Sequence, residues 1–467
     1  MKHNLQHGGV AEVLAISLPM VISHACDTVM VFTDRLFLAR IDPELMNAVM
    51  GGGLTSFMMI SFFVGLVGFT TALVAQHLGA QRKKDCAVVL TQALIFSLSA
   101  YPVILALRPF ANWLFVFMGI GKEQLEPQTI YLNILLYGSI ISLMRTSLSG
   151  FFSGIARTKI VMASSVAAMI TNVILDYVFI FGKFGFPAMG IRGAAYATVL
   201  GGIVGLLVLS LAYFKDRNRA EYNVARSFYF DRALALKLFK FGSPTGIEMF
   251  LNIIAFNAMV MMFHSLSPSA ATAATIVFNW DFVSFVPLIG IEIGVTSLVG
   301  KYMGAGQPDT AHRAAMSGFR LGILYSAVIL IFFAGFPEML VNVFRPSATS
   351  EVFVSAMPTA VFMVRLASVY VLVEAMLCVF IGALRGAGDT LWAMRMSVIL
   401  HWLMVAVLAL ILRVLRLPPE AGWAAMVSFF LVFSGVVFIR YSEGKWRSIR
   451  IVEPVVPAQI IPEIGEV

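Results

Sequence analysis

The chain has 467 residues, of which 59% are hydrophobic and 12% are charged, with a mean hydropathy of +0.88. A soluble protein of this length carries about 25% charged residues. The composition therefore excludes a soluble protein and predicts an all-α polytopic membrane protein. The net charge of +8 indicates no nucleic-acid partner, because the basic residues fall mostly in short loops, where membrane topology places them.

The apolar runs predict twelve transmembrane helices, each of about 20 residues or more. They are expected at 10–38, 45–77, 87–118, 125–155, 159–182, 191–214, 234–264, 270–300, 312–344, 350–383, 390–416 and 420–441. These spans divide into an N-terminal six-helix lobe (1–214), a linker (215–233), a C-terminal six-helix lobe (234–441) and a tail (442–467). The tail, from Ile451 onward, is rich in proline and predicts disorder.

Basic residues gather in the loops that follow even-numbered spans, as at 82–84, in the linker and in the tail. By the positive-inside rule both termini and the linker are cytoplasmic. We therefore expect a multi-pass protein of the cell inner (cytoplasmic) membrane.

Polar residues within the spans begin in span 1, where Asp34 lies near one end and Asp27 near the middle. In span 4, Arg145 requires a carboxylate or carbonyl partner. An ionised side chain at the centre of a bilayer costs on the order of 3 kcal/mol or more. In span 5, Asn172 precedes Asp176 by four residues, so both side chains project from one helical face. This pair either holds a proton or a small cation, or joins two helices by hydrogen bonds.

The C-terminal lobe carries more acidic residues within its spans than packing requires, so at least one of them is expected to be functional. In two polar pairs the residues are one helical turn apart, and in a third pair they are about three turns apart on one face of the helix. The pairs are Glu248 with Asn252 in span 7, Tyr370 with Glu374 in span 10, and Asp281 with Glu292 in span 8.

The chain repeats itself with an offset of about 225 residues. LVAQHLGA at 73–80 matches LVGKYMGA at 298–305, and Pro19 matches Pro244. Further along, GIAR at 154–157 matches GALR at 382–385. Six spans per repeat, with both copies in the same orientation, predict two pseudo-symmetric six-helix lobes related by an axis along the membrane normal.

These features together resemble the multidrug and toxic compound extrusion (MATE) family. The resemblance rests on the repeated lobes and on QHLGA at 76–80, NVILDY at 172–177, GIRGAAYAT at 190–198 and GALRGAGDT at 382–390. It implies a secondary active antiporter that exports organic, often cationic, compounds in exchange for H⁺ or Na⁺ by alternating access.

The resemblance also suggests roles for particular residues. It brings Asp34 to Asn172 and Asp176 as one coupling site, at which H⁺ or Na⁺ would bind, and it makes Thr198 a hydroxyl ligand or a packing residue. Two carboxylates in one site cannot both stay ionised at low cost unless a cation is bound. An ion pair of Asp34 with Arg35 is the alternative.

In the C-terminal lobe, Tyr370 and Glu374 match the spacing of the family's second site. Span 7 departs from the family pattern, since Asn252 stands where some members carry an acid. Glu248, one turn earlier, either binds the coupling ion or lines the cavity.

Other functions remain as alternatives. A flippase for lipid-linked saccharides or other lipids, from the same wider superfamily, would favour a cavity rich in Arg and Lys, whereas the charge within these spans is mostly acidic. A receptor or scaffold would need neither repeat nor buried acids. No metal-ligand or nucleophile pattern indicates an enzyme, and no GxxxxGK[ST] motif indicates ATP use. We expect no cofactor besides the coupling ion, and a monomer that contacts small organic molecules and lipid.

Overall fold

The computed structural model describes residues 6–117, 122–345 and 351–453. Its regular structure within these ranges is helical, as lipid demands, because a backbone in lipid must satisfy its own hydrogen bonds. Twelve of the described helices are long and apolar enough to cross a membrane, which confirms the predicted number. We number these spans 1 to 12: Val10–Ala39, Leu45–Gly79, Lys83–Val116, Gln124–Gly154, Thr158–Phe181, Ile191–Tyr213, Arg232–His264, Pro268–Gly304, Pro308–Gly335, Glu351–Ala387, Thr390–Val414 and Pro419–Ser442.

Short helices join or extend these spans. Span 2 consists of two helices, Pro43–Gly68 and Thr70–Gly79, that meet at Phe69. The other short helices are Asp216–Tyr222, Val224–Arg226, Pro337–Asn342, Leu410–Val414 and Lys445–Ser448.

Span 9 is shorter than the sequence predicts. The helix ends at Gly335, and Phe336 adopts φ −129° and ψ 39° before a new helix starts at Pro337. A residue that precedes proline is disfavoured in the α conformation, so a continuous span over 312–344 was the wrong prediction.

The beginning of the tail is packed rather than disordered. Ile451 and Val452 are only 5% and 1% exposed, and they belong to a buried cluster that includes Leu73 and Leu234. The Lys237 ammonium donates a hydrogen bond to the Ile451 carbonyl at 2.9 Å. Burial of the two apolar side chains outweighs the disorder expected from the prolines that follow. Residues 454–467 lie outside the described ranges.

The first six spans pack mainly among themselves, and so do the last six. The two groups meet where spans 1 and 2 contact spans 8 and 7. The contacts follow the repeat: a Cβ placed on Gly65 would lie 2.7 Å from the Cα of Gly246, and one on Gly290 would lie 2.8 Å from the Cα of Val21. Residues 65 and 290, and 21 and 246, are each 225 apart. The pseudo-symmetric arrangement of two six-helix lobes is therefore present in the packing of backbone against backbone.

These close approaches lie in the halves of the spans nearest the membrane side on which span 1 begins, here named the N-terminal side. On the opposite side, the same four spans present large exposed apolar side chains, namely Phe32, Phe57, Met261 and Phe282, which are 40% exposed or more. The two lobes therefore contact each other closely on the N-terminal side.

Candidate functional site

Asp34 is the centre of a polar cluster inside the N-terminal lobe. Its side chain is buried, and three donors reach it: the Tyr131 hydroxyl at 3.1 Å, the Asn172 amide at 3.2 Å and the Thr198 hydroxyl at 2.9 Å. The structure therefore brings Asp34, Asn172 and Thr198 together, as the family resemblance implied. None of these bonds comes from Arg35, so the alternative ion pair is not formed.

Asp176 completes the cluster but receives no donor of its own. It is 0% exposed, and neither carboxylate oxygen accepts a hydrogen bond from an N–H or O–H group of the described chain. Its carboxyl lies close to the Asp34 carboxyl. The Asn172 amide oxygen is also buried without a donor.

The cluster therefore contains more buried acceptors than donors. A buried polar atom without a partner costs about 1–3 kcal/mol, and such atoms in a native protein call for an explanation such as a bound ion. A proton shared between Asp34 and Asp176 would supply the missing donor. A small hard cation would do so equally well, because hard cations prefer oxygen ligands.

Close packing of spans 5 and 6 positions these groups. A Cβ on Gly201 would lie 2.9 Å from the Ala168 carbonyl oxygen and 3.1 Å from the Cβ of Asn172. The glycine lets the two helices approach closely, as small residues do in membrane proteins. Thr198, about one turn away on span 6, is thereby held against Asp34.

Tyr131 is the member of this cluster that sequence reasoning missed. It is one of two tyrosines in span 4, and spacing along this helix does not relate it to Asp34 in span 1. Only the packing of span 4 against spans 2 and 6 brings its hydroxyl to Asp34.

In the C-terminal lobe, Asp281, Tyr370 and Glu374 form a second cluster. The Tyr370 hydroxyl donates a hydrogen bond to Asp281, and one oxygen of the buried Glu374 carboxyl has no donor among the described residues. Asp281 and Tyr370 also line a cavity of about 30 Å³ with aromatic, methionine and other side chains: Phe256, Met259, Phe278, His401, Trp423, Met426, Val427 and Phe430.

Glu248 and Glu292 lie elsewhere in the same lobe, where both pair with Arg385. The Arg385 guanidinium is 3.1 Å from Glu248 and forms a second ion pair and hydrogen bond with Glu292. Asn252 donates a hydrogen bond to Ser397 at 2.8 Å. Asp281 and Glu292 do share one face of span 8, but they serve two clusters about 16 Å apart along the helix. The predicted span 10 ends at residue 383, so sequence reasoning left Arg385 outside the spans and missed this role.

Comparisons with known proteins match this architecture. The MatE family model matches residues 19–178 and 244–411, one stretch in each lobe. The chain is 27% identical over 446 residues to the probable multidrug resistance protein NorM of Thermotoga maritima, with 93% of each chain covered. It is 25% identical over 395 residues to the multidrug resistance protein PmpM of Pseudomonas aeruginosa, with 84% of this chain and 81% of that one covered.

A solved structure described as the outward-facing conformation of a multidrug resistance MATE family transporter has the same fold. Its TM-score is 0.84 at 20% identity, with 94% of this chain and 96% of that one covered. Because the family match covers most of the chain and falls on both six-helix lobes, the chain belongs to the MatE family of membrane transporters.

Proposed function

We propose that this chain is an ion-coupled antiporter that exports organic cations in exchange for H⁺ or Na⁺. Its curated relatives are multidrug resistance proteins, and its two lobes contact each other closely on the N-terminal side. Both lobes and both polar clusters belong to one chain, which supports a transporter that works as a monomer.

The observation that carries the proposal is the surplus of buried acceptors around Asp176. Three donors are all directed at Asp34, while both oxygens of Asp176 and the amide oxygen of Asn172 have none. A proton or Na⁺ bound among these oxygens removes the surplus. An ion drives a conformational change only through different affinities for the two states, so filling this site must favour one arrangement of the N-terminal lobe over the other.

The cargo class is supported by the C-terminal cavity. Its wall pairs Asp281 with several aromatic rings, among them Trp423 and Phe278 at a centroid separation of 5.5 Å. A carboxylate among aromatic faces favours a lipophilic cation through charge attraction and cation–π contacts. Because the cavity holds only about 30 Å³, the rings must move apart when an organic cation enters. We propose Glu374, with Asp281 and Tyr370, as the groups that line or couple this second site, and Glu248, Glu292 and Asn252 as further polar groups of the same lobe outside this cavity.

The test uses purified protein in vesicles with an imposed ion gradient and ethidium as cargo. Asp176→Asn removes one carboxylate and should abolish gradient-driven export, while the protein still inserts into the membrane. Asn172→Ala should weaken coupling less, because it removes a neutral ligand and leaves both carboxylates. Normal export by Asp176→Asn under either a Na⁺ or a proton gradient would mean that the cluster is structural.

We further propose that the N-terminal side faces the cytoplasm, in the cell inner membrane. The basic residues at 82–84 and those between spans 6 and 7 lie on this side. Cysteines introduced at Lys84 and Arg226 should react only with cytoplasmic reagent, and one at Lys183 only with external reagent. The native Cys26, Cys86 and Cys378 are buried, so the background is low. Labelling at Lys183 from inside would refute this orientation.

A further inference from the structure

Asp27 and Arg145 form an ion pair in the interior of the N-terminal lobe that the coupling cluster does not use. The Arg145 guanidinium lies 2.8 Å from Asp27 Oδ1 and donates a second hydrogen bond to the Ser165 hydroxyl at 2.9 Å. Ser165 in turn shares a hydrogen bond of 2.6 Å with Ser23. Spans 1, 4 and 5 are thus tied together at mid-membrane.

The Asp27 side chain is exposed, unlike the other acids of the proposed sites. It is 42% exposed, whereas the residues Asp34, Asp176, Glu248 and Glu374 are at most 4% exposed. Only Oδ1 is engaged by Arg145, so Oδ2 remains available. An exposed charge at this depth is costly against lipid, so a positively charged partner for the accessible oxygen would stabilise it.

Arg145 gives this carboxylate a property that the coupling site lacks. The Arg145 guanidinium is a charged partner for one oxygen of Asp27, whereas the donors that reach Asp34 are neutral and Asp176 has none. The Asp34–Asp176 pair, in contrast, has to change its ligand in each cycle if it couples transport. An accessible carboxylate oxygen, held in place by the ion pair of its neighbour oxygen, is suited to binding a positively charged group.

We propose that Asp27 Oδ2 is the N-terminal lobe's contact for the positive group of an organic cation. The proposal rests on the proposed antiport function and adds the residue that recognises the charge of the cargo. Asp27 precedes Asp34 by seven residues, so both lie on one face of span 1, about 10 Å apart along its axis. Two positive charges at that separation, one on each aspartate, repel each other in a medium of low dielectric. Cargo and coupling ion would therefore weaken each other's binding without sharing a ligand.

Direct binding to detergent-purified protein tests the proposal without any gradient. The probes are ethidium, a permanent cation, and Nile red, an uncharged dye, each followed by fluorescence polarisation. Asp27→Asn should weaken ethidium binding at least tenfold and change Nile red binding less than twofold. Ser165→Ala keeps both charges and removes only a hydroxyl, so it should bind both dyes as the wild type does.

The double variant Asp27→Asn with Arg145→Gln distinguishes recognition from simple repulsion by an unpaired arginine. If Asp27 is the contact, the neutral double variant still binds ethidium at least tenfold more weakly than wild type. Recovery of wild-type ethidium binding in the double variant overturns the proposal, as does a wild-type protein that does not prefer ethidium to Nile red. The double variant also carries no unpaired charge, which keeps the test valid if Asp27→Asn alone fails to fold.

These outcomes are independent of the coupling test. Loss of ethidium binding by both Asp27 variants, together with normal transport by Asp176→Asn, would retain the cargo contact and reject the coupling site. Wild-type ethidium binding by the double variant, together with loss of transport by Asp176→Asn, would reject the cargo contact and retain the coupling site.

Discussion

Gly79 and Gly304 occupy equivalent positions in the two repeats, and each packs against the backbone of the opposite lobe. A Cβ on Gly79 would overlap the Lys301 carbonyl oxygen, and one on Gly304 would overlap the carbonyl oxygen of Gln76. The Gln76 amide also donates a hydrogen bond to the Gly386 carbonyl at 2.9 Å. The seal on the N-terminal side is therefore a contact of main chain with main chain, and it tolerates no side chain at either glycine.

Gly304→Ala should hold the lobes apart on the N-terminal side. Overpacking a close contact typically costs about 1–3 kcal/mol, or about 5- to 150-fold in an equilibrium between two states. We expect a cysteine placed at Ala80 to react faster from the N-terminal side and export to fall. The control is Gly435→Ala in span 12, where an added Cβ meets no atom within 4 Å. Unchanged reactivity at Ala80 in the Gly304 variant would contradict a seal of this kind.

The two acidic clusters of the C-terminal lobe should respond differently to neutralisation. Glu248→Gln leaves the Arg385 charge with one acid instead of two, and breaking a buried ion pair costs up to about 3–5 kcal/mol. We expect a lower Tm for Glu248→Gln, measured on detergent-purified protein. Glu374→Gln removes a carboxyl with an oxygen that lacks a donor, so its Tm should not fall, while ethidium export should. An equal loss of Tm in both variants would show that Glu374 is structural too.

The stability of the linker helix Asp216–Tyr222 should depend on pH, because Glu221 forms ion pairs only when it is ionised. Partial burial acts to raise the pKa of Glu221, but the hydrogen bond from Lys83 and the nearby charge of Arg157 outweigh burial and lower this pKa below the usual 4.5. The Lys83 ammonium is 3.1 Å and the Arg157 guanidinium 2.7 Å from its two oxygens. A lowered pKa means that the folded state favours the ionised carboxylate, so the stabilisation is present above about pH 4.5 and lost as the pH falls further.

Glu221→Gln should therefore lower the Tm at pH 7, and the difference from wild type should shrink as the pH is lowered below 4.5. Differential scanning fluorimetry at several pH values measures this. Asp216→Asn, in the same short helix, is the matched control, because Asp216 forms no ion pair within the part of the chain that the structure describes. A difference that stays constant between pH 7 and pH 4 would exclude the ion pairs as its cause.

The sequence predicted the features that depend on composition and on spacing along one helix. Twelve spans follow from the apolar runs, and the shared face of Asn172 and Asp176 follows from their four-residue spacing. The approach of Asp34 was implied by family resemblance, since no spacing within one helix relates span 1 to span 5. Tyr131 and Arg385 were missed because their contacts depend on how separate helices pack. For the same reason the sequence could not predict on which side of the membrane the lobes contact each other.

The burial of Ile451 and Val452 has a consequence for biosynthesis. These residues pack into a cluster with Leu73 and Leu234, which are translated much earlier. Leu73 and its neighbours are therefore inserted into the membrane without part of their final packing, which is completed only after residues 451 and 452 have been translated. A chain cut short after Ser442 would carry all twelve spans and still lack part of the packing on its N-terminal side. Affinity tags and reporter fusions are accordingly best joined beyond residue 453.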